Sequence, residues 1–101
     1  MNESSDNNLN IIAVRLKEAR QRAGISQEKL GVLAGIDEFS ASARINQYER
    51  GKHVPDLLTL ERLAKVLDTP APYFYATDND LAGWILMFNK IDGSEKPSMS
   101  I

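Results

Sequence analysis

Between Ser26 and Lys52 the chain carries two short apolar stripes at helical spacing, each closed by a glycine, and no other feature restricts its fold as much. Ser26 is a good N-cap, because its hydroxyl can accept from one of the orphan amides of a first helical turn. Gln27, Glu28 and Lys29 then open a helix whose inward residues are Leu30, Leu33 and Ala34, and Gly35 ends it. The next pattern sets Ala41, Ile45 and Tyr48 on one face, at spacings of four and three. It leaves Ser42, Ala43, Arg44, Asn46 and Gln47 on the other face, and Gly51 stops it.

Two short helices joined in this way, the second followed by a basic turn, have the layout of a helix-turn-helix that reads DNA. The major groove admits one α-helix and offers donors and acceptors on base edges, so a reading helix needs short polar or amide side chains outward and apolar ones inward. Ser42, Asn46 and Gln47 meet that requirement. Gln27, at a helix N-terminus, is placed to meet a backbone phosphate through its side chain and the positive end of the helix dipole. Arg44, Arg50, Lys52 and His53 add positive charge beside it.

The run Ser26-Gln27-Glu28-Lys29-Leu30-Gly31 through Ile45-Asn46-Gln47-Tyr48-Glu49-Arg50-Gly51-Lys52 resembles the Cro and phage-repressor (xenobiotic-response-element) family of helix-turn-helix proteins, from about Ile12 to Tyr75. The resemblance implies an all-α, five- or six-helix phage-repressor-like DNA-binding domain. It also implies that Gln27 contacts phosphate and base, and that the outward recognition positions, counted back from Glu49, are Ser42, Ala43 and Gln47. Arg20 and Glu49 match the residues that the family pairs inside the domain, and a structural ion pair is expected there rather than a contact with DNA. Two departures stand out. Gly35 and Glu49 lie about four residues further apart than is usual, so Asp37, Glu38, Phe39 and Ser40 are expected to form an enlarged turn, with Asp37 or Ser40 as the cap of the second helix. Gly31 replaces the usual Ala, which permits close helix approach at a cost of about 0.5–1 kcal/mol in helix propensity.

Beyond this motif the chain reads as further helices. Leu9 to Ala23 has Ile12, Leu16, Ala19 and Ala23 at helical spacing, with Arg15, Lys17 and Arg22 expected outward. Asp56 is expected to cap a helix with Leu60, Leu63, Ala64 and Leu67 as its buried stripe, and Tyr73-Phe74-Tyr75, after Pro70 and Pro72, a short helix that closes the core. An additional C-terminal helix follows, capped by Asp78 or Asn79. Its apolar residues Leu81, Trp84, Ile85, Met87, Phe88 and Ile91 form a surface too wide for one face of so small a domain, which points to a dimer interface. The expected organisation is a disordered segment at 1–8, the DNA-binding domain at 9–77, the dimerisation helix at 78–91 and a disordered tail at 92–101.

Composition narrows the function. With 101 residues the chain has one domain's worth of core. It has no cysteine and a single histidine, His53, for which a phosphate contact and plain solvation are equally open. Nothing supplies a nucleophile–base pair, a metal cluster or a phosphate-cradling glycine loop, so no catalytic residue, metal or cofactor is expected. No apolar run approaches a membrane span, and a cytoplasmic protein is the expectation. The net charge of −2 is segregated: residues 13–53 hold eight Lys or Arg against five Asp or Glu, and residues 54–101 hold four against seven. Screening over about 10 Å lets a basic reading face coexist with an acidic far side. The expected protein is therefore a homodimeric transcriptional regulator, a repressor by family habit, bound to double-stranded DNA at an inverted repeat. The rival is an interaction module, such as an antitoxin or anti-repressor, that binds a protein partner through the C-terminal helix.

Overall fold

Each helix after the first starts on a side chain that caps it. In the computed structural model, which describes residues 4–91 with side chains from Ile11 onward, α1 (Ser4–Ala23) is followed by α2 (Gln27–Leu33), where the Ser26 hydroxyl accepts from the Lys29 amide at 3.0 Å. At α3 (Glu38–Glu49) the Asp37 carboxylate accepts from the Phe39 amide at 3.0 Å, and at α4 (Leu57–Val66) Asp56 accepts from Thr59 at 2.8 Å. The Thr59 amide holds the Asp56 carboxyl below the usual carboxylate range. A 3-10 turn, Ala71–Tyr75, leads to α5 (Asn79–Lys90), where Asp78 accepts from the Asp80 amide at 2.7 Å. Such caps contribute about 1 kcal/mol apiece. Among the described residues there is no strand, and the chain is all-α.

The core draws on every element. Leu16 of α1, Leu30 of α2, Ile45 of α3, Leu60 and Leu63 of α4 and Phe74 of the 3-10 turn are the largest side chains that are fully buried. Pro70 precedes the 3-10 turn and Pro72 lies within its first two positions, where a missing amide costs nothing, and this sets Tyr73 and Phe74 inward. Ala82 brings α5 onto the same core, with Ile85 and Leu86 partly buried against it. Leu81, Trp84, Met87, Phe88 and Ile91 stay at least one-third exposed on the other side of α5. Ile85, assigned from sequence to the outer surface, thus divides itself between the core and that surface.

Leu33, expected inward, is 56% exposed at the end of α2, and three further expectations need correction. The backbone is helical from Ser4 rather than Leu9, since extending a nucleated helix adds a hydrogen bond per residue without a new nucleus. The tail at 92–101 lies outside the described residues. Secondly, Asp37 to Ser40 form no enlarged turn: the connection is only Ala34 to Asp37, and the additional residues lengthen α3 by a turn at its N-terminus. Gly35, at φ +94°, reverses the chain at once, and Glu38 in the first turn of α3 favours the positive end of that helix.

Thirdly, Arg15 does not face outward but is 4% exposed. Its Nε donates to the Ala76 carbonyl at 3.0 Å, its Nη2 to Asn79 Oδ1 at 3.0 Å and its Nη1 to Glu18 Oε1 at 3.2 Å. A buried charge needs this many partners, and the chain leaving the 3-10 turn supplies two of them while α1 itself supplies Glu18. The Arg15 and Arg22 guanidinium carbons lie 5.5 and 5.3 Å from the centroid of the Tyr73 ring. Arg15 therefore ties α5 to α1.

The lengthened α3 packs tightly against α2 at Gly31. A Cβ built there would stand 2.7 Å from the Ala41 Cβ and 3.1 Å from the Ala41 backbone, so the helices would have to part. Gly31→Ala should accordingly lower the stability to urea by about 1–2 kcal/mol, overpacking outweighing the better helix propensity of alanine. Ala41→Gly in the same chain should recover part of the loss. A single variant more stable than the parent would show that the contact is slack.

Candidate nucleic-acid interface

The α2–turn–α3 unit is held from beneath by one ion pair. Arg20, near the end of α1, meets Glu49, the last residue of α3, through Nε to Oε2 at 2.5 Å and Nη2 to Oε1 at 3.0 Å. Its remaining Nη1 donates to the Ile25 carbonyl at 3.0 Å, which fixes the loop that enters α2. The side chains are 14% and 3% exposed, and the hydrogen bond to Glu49 pushes the Arg20 pKa above its ordinary value. Glu49 is shared. Its Oε1 also accepts from Gln27 Nε2 at 3.0 Å, and the same nitrogen donates to Asn46 Oδ1 at 3.2 Å. Arg20, Glu49, Gln27 and Asn46 thus form one chain of polar contacts across three helices. It fixes the N-terminus of α2 against the C-terminal half of α3.

The outer side of α3 is left for solvent. At about 100° per residue, Phe39, Ala43, Asn46 and Arg50 fall within roughly 60° of one another, on the side opposite the buried Ala41, Ile45 and Tyr48. Ser42 lies exposed on one flank of this line, and Gln47, half-buried, on the other. Gln47, Arg44 and His53 border a shallow cleft shared with Asp56 and Thr59 of the next helix. Lys52 and His53 are exposed, and their amides both point to the Gln47 carbonyl, at 2.9 and 3.4 Å, so the basic turn is set directly against the end of α3.

Ser42, Ala43, Asn46, Gln47 and Arg50 therefore share the outward side of α3, with the exposed turn at Lys52 and His53 beyond it, whereas Arg44 lies about 160° round the helix from Asn46, beside the cleft with His53. Gln27 differs from the rest: it is half-buried, and its side-chain nitrogen is engaged by Asn46 and Glu49. Phe39, exposed on this same line, is not among the sequence-derived candidates, because the four additional residues read as loop. The available signal was Asp37, a capping residue from which the stripe of Ala41, Ile45 and Tyr48 can be extended back by one turn. Among the described residues no group of His, Asp or Glu could hold a metal ion, and no helix is long and apolar enough to cross a membrane.

Burial makes the Arg20–Glu49 pair testable. Removing either partner strands the other charge, so Arg20→Ala and Glu49→Ala should each cost about 3–5 kcal/mol in thermal or urea unfolding. The double variant should lose at least ~1 kcal/mol less than the sum of the two. Strictly additive losses would mean that the pair contributes no coupling.

A helix-turn-helix family model matches residues 16–74. Among solved structures the chain is similar to that of the transcriptional regulator BswR, with a TM-score of 0.77 and 51% identity over 81% of this chain and 81% of that one. None of the curated proteins matches. The family match takes in Arg20, Gln27, all of α3 and Glu49, and it stops before α5. The chain thus belongs to the helix-turn-helix family of the Cro and phage-repressor type, a family of DNA-binding transcriptional regulators and not of enzymes.

Proposed function

We propose that this chain is a sequence-specific transcriptional regulator that binds an inverted-repeat operator as a homodimer, in the cytoplasm, and that it represses. The observation that carries the reading is the exposed line of α3, bordered by cations and held in place by the Arg20–Glu49–Gln27–Asn46 contacts. A rigid element places side chains on base edges more accurately than a loop does. Similarity to a solved transcriptional regulator over four-fifths of the chain supports it.

In this reading Ser42, Ala43, Asn46 and Gln47 meet base edges. With its oxygen engaged by Gln27, Asn46 offers its amide donors to an acceptor such as guanine O6 or N7, whereas Ala43 suits a thymine methyl. Arg44, Arg50, Lys52 and His53 meet phosphates and set orientation, and Gln27, whose side-chain donors are both taken by Asn46 and Glu49, meets the DNA backbone through its main-chain amide at the N-terminus of α2. Arg20 and Glu49 have a structural role. The dimer forms through α5, where the outer residues Trp84, Met87, Phe88 and Ile91, with Ile85 beneath, border an apolar groove closed by Pro70 and Pro72, and Leu81 adds exposed apolar surface on the same helix. One helix face meeting its own copy satisfies two-fold symmetry, and a two-fold operator needs a two-fold protein.

Binding should weaken steeply with salt, the log–log slope falling by about 0.9 for each phosphate neutralised, and a slope near zero would contradict DNA binding. Gln47→Ala should relax base preference at one position in each half-site at a cost of about 1–3 kcal/mol, whereas Lys52→Ala should weaken all sequences alike. Equal effects would mean that the register of α3 on DNA is different.

For the dimer, Trp84→Glu is a cleaner probe than truncation, because Arg15, Ala82, Ile85 and Leu86 make α5 part of the core while Trp84 is 71% exposed. The variant should keep its helical signal, sediment as a monomer and retain half-site contacts while it loses most affinity for the palindrome. A variant that remains dimeric would place the interface elsewhere. A wild-type chain that is monomeric alone and pairs stably with a different protein would favour the interaction module.

A further inference from the structure

Phe39 is 96% exposed, which is extreme for a phenylalanine on a well-packed domain. It is not on a floppy loop: its amide is bonded to the Asp37 cap, and it sits in the first turn of α3. Four residues before Ala43, it stands on the same outward line, about 6 Å further along the helix axis. That rise exceeds the spacing of one base pair, so Phe39 faces a part of the groove that Ala43 does not reach. The acidic neighbours do not intrude. Asp37 is occupied as the cap, and Glu38 turns toward α2, where it borders a shallow depression with Glu28, Lys29, Val32 and Leu33.

We infer that Phe39 is a specificity-determining residue, which packs its ring on the 5-methyl group of a thymine in the major groove, one turn beyond the position read by Ala43. The inference rests on the proposed role of α3. Residues near the N-terminus of a recognition helix are also placed to meet base edges, and a phenyl ring has no donor or acceptor to offer them. The thymine methyl is the one apolar feature that the major groove displays. The lengthened N-terminus of α3, with Gly31 recessed beneath Ala41 to accommodate it, is what carries the ring outward.

The test uses the full chain and an operator obtained by selection from random duplex DNA. Each thymine is replaced singly by deoxyuridine, which removes only the methyl group, and binding is measured for the wild type and Phe39→Ala. The wild type should lose about fourfold in affinity at one thymine of each half-site. Phe39→Ala should bind the unmodified operator more weakly by at least that factor and be indifferent to uridine at that same position. Its melting curve should be that of the parent, since the ring packs on nothing. If the wild type selects a sequence but Phe39→Ala binds it equally well, or still distinguishes thymine from uridine everywhere the parent does, the inference is overturned and the proposed function stands. Unchanged DNA affinity combined with lost self-association would reassign Phe39 to a protein contact, also overturning it. If the wild type selects no sequence at all, the reading of α3 falls and this inference with it.

Discussion

The two-pronged contact between Arg20 and Glu49 is the constraint on which the rest of the site depends. It joins the end of α1 to the end of α3, and through Arg20 Nη1 and Glu49 Oε1 it also fixes Ile25 and Gln27 at the entrance to α2. Three helices of a small domain would otherwise be free to rock about their apolar contacts, which carry no directional preference. A bidentate guanidinium–carboxylate pair does have one, and burial makes the loss of either half costly. Its contribution is geometric first: it sets the angle at which the outward line of α3 is presented.

A second buried cation performs the corresponding task at the other end of the chain. Arg15 reaches across 61 residues to the Ala76 carbonyl and closes the 3-10 turn and the start of α5 onto α1. As a result α5 has two different faces. Ala82, Ile85 and Leu86 belong to the core, while Leu81, Trp84 and Met87 project from it, so an exposed apolar surface is attached rigidly to the α2–α3 unit. Rigid attachment matters for the proposed dimer, because half-site spacing would be a geometric property of it.

How much of this could be read from the sequence depended on the range of the interactions. Ser26, Asp56, Asp78 and the stripes of Leu16, Leu30, Ile45 and Leu60 were legible, because capping and helical periodicity act over one or two turns. The residues facing away from Ala41, Ile45 and Tyr48 were legible for the same reason. The start of α3 was not. Four additional residues are close to one helical turn, and Asp37 and Ser40 are equally at home in a turn or at a helix start, so local chemistry leaves the two arrangements nearly balanced. The complementarity of Gly31 and Ala41, in different helices, favours the longer helix. Arg15 was misread because an arginine on a helix surface is normally solvated, and its partners lie at the far end of the chain.

The central claim is that the outward line of α3 is the surface that meets DNA. An NMR titration of the labelled chain with a duplex carrying the selected operator tests it most directly. The account predicts that the side-chain amides of Asn46 and Gln47 and the backbone amides of Phe39, Ala43 and Lys52 shift together and saturate at one duplex per dimer, while the Trp84 indole stays in place. Shifts concentrated on α5, with α3 unaffected, would contradict it.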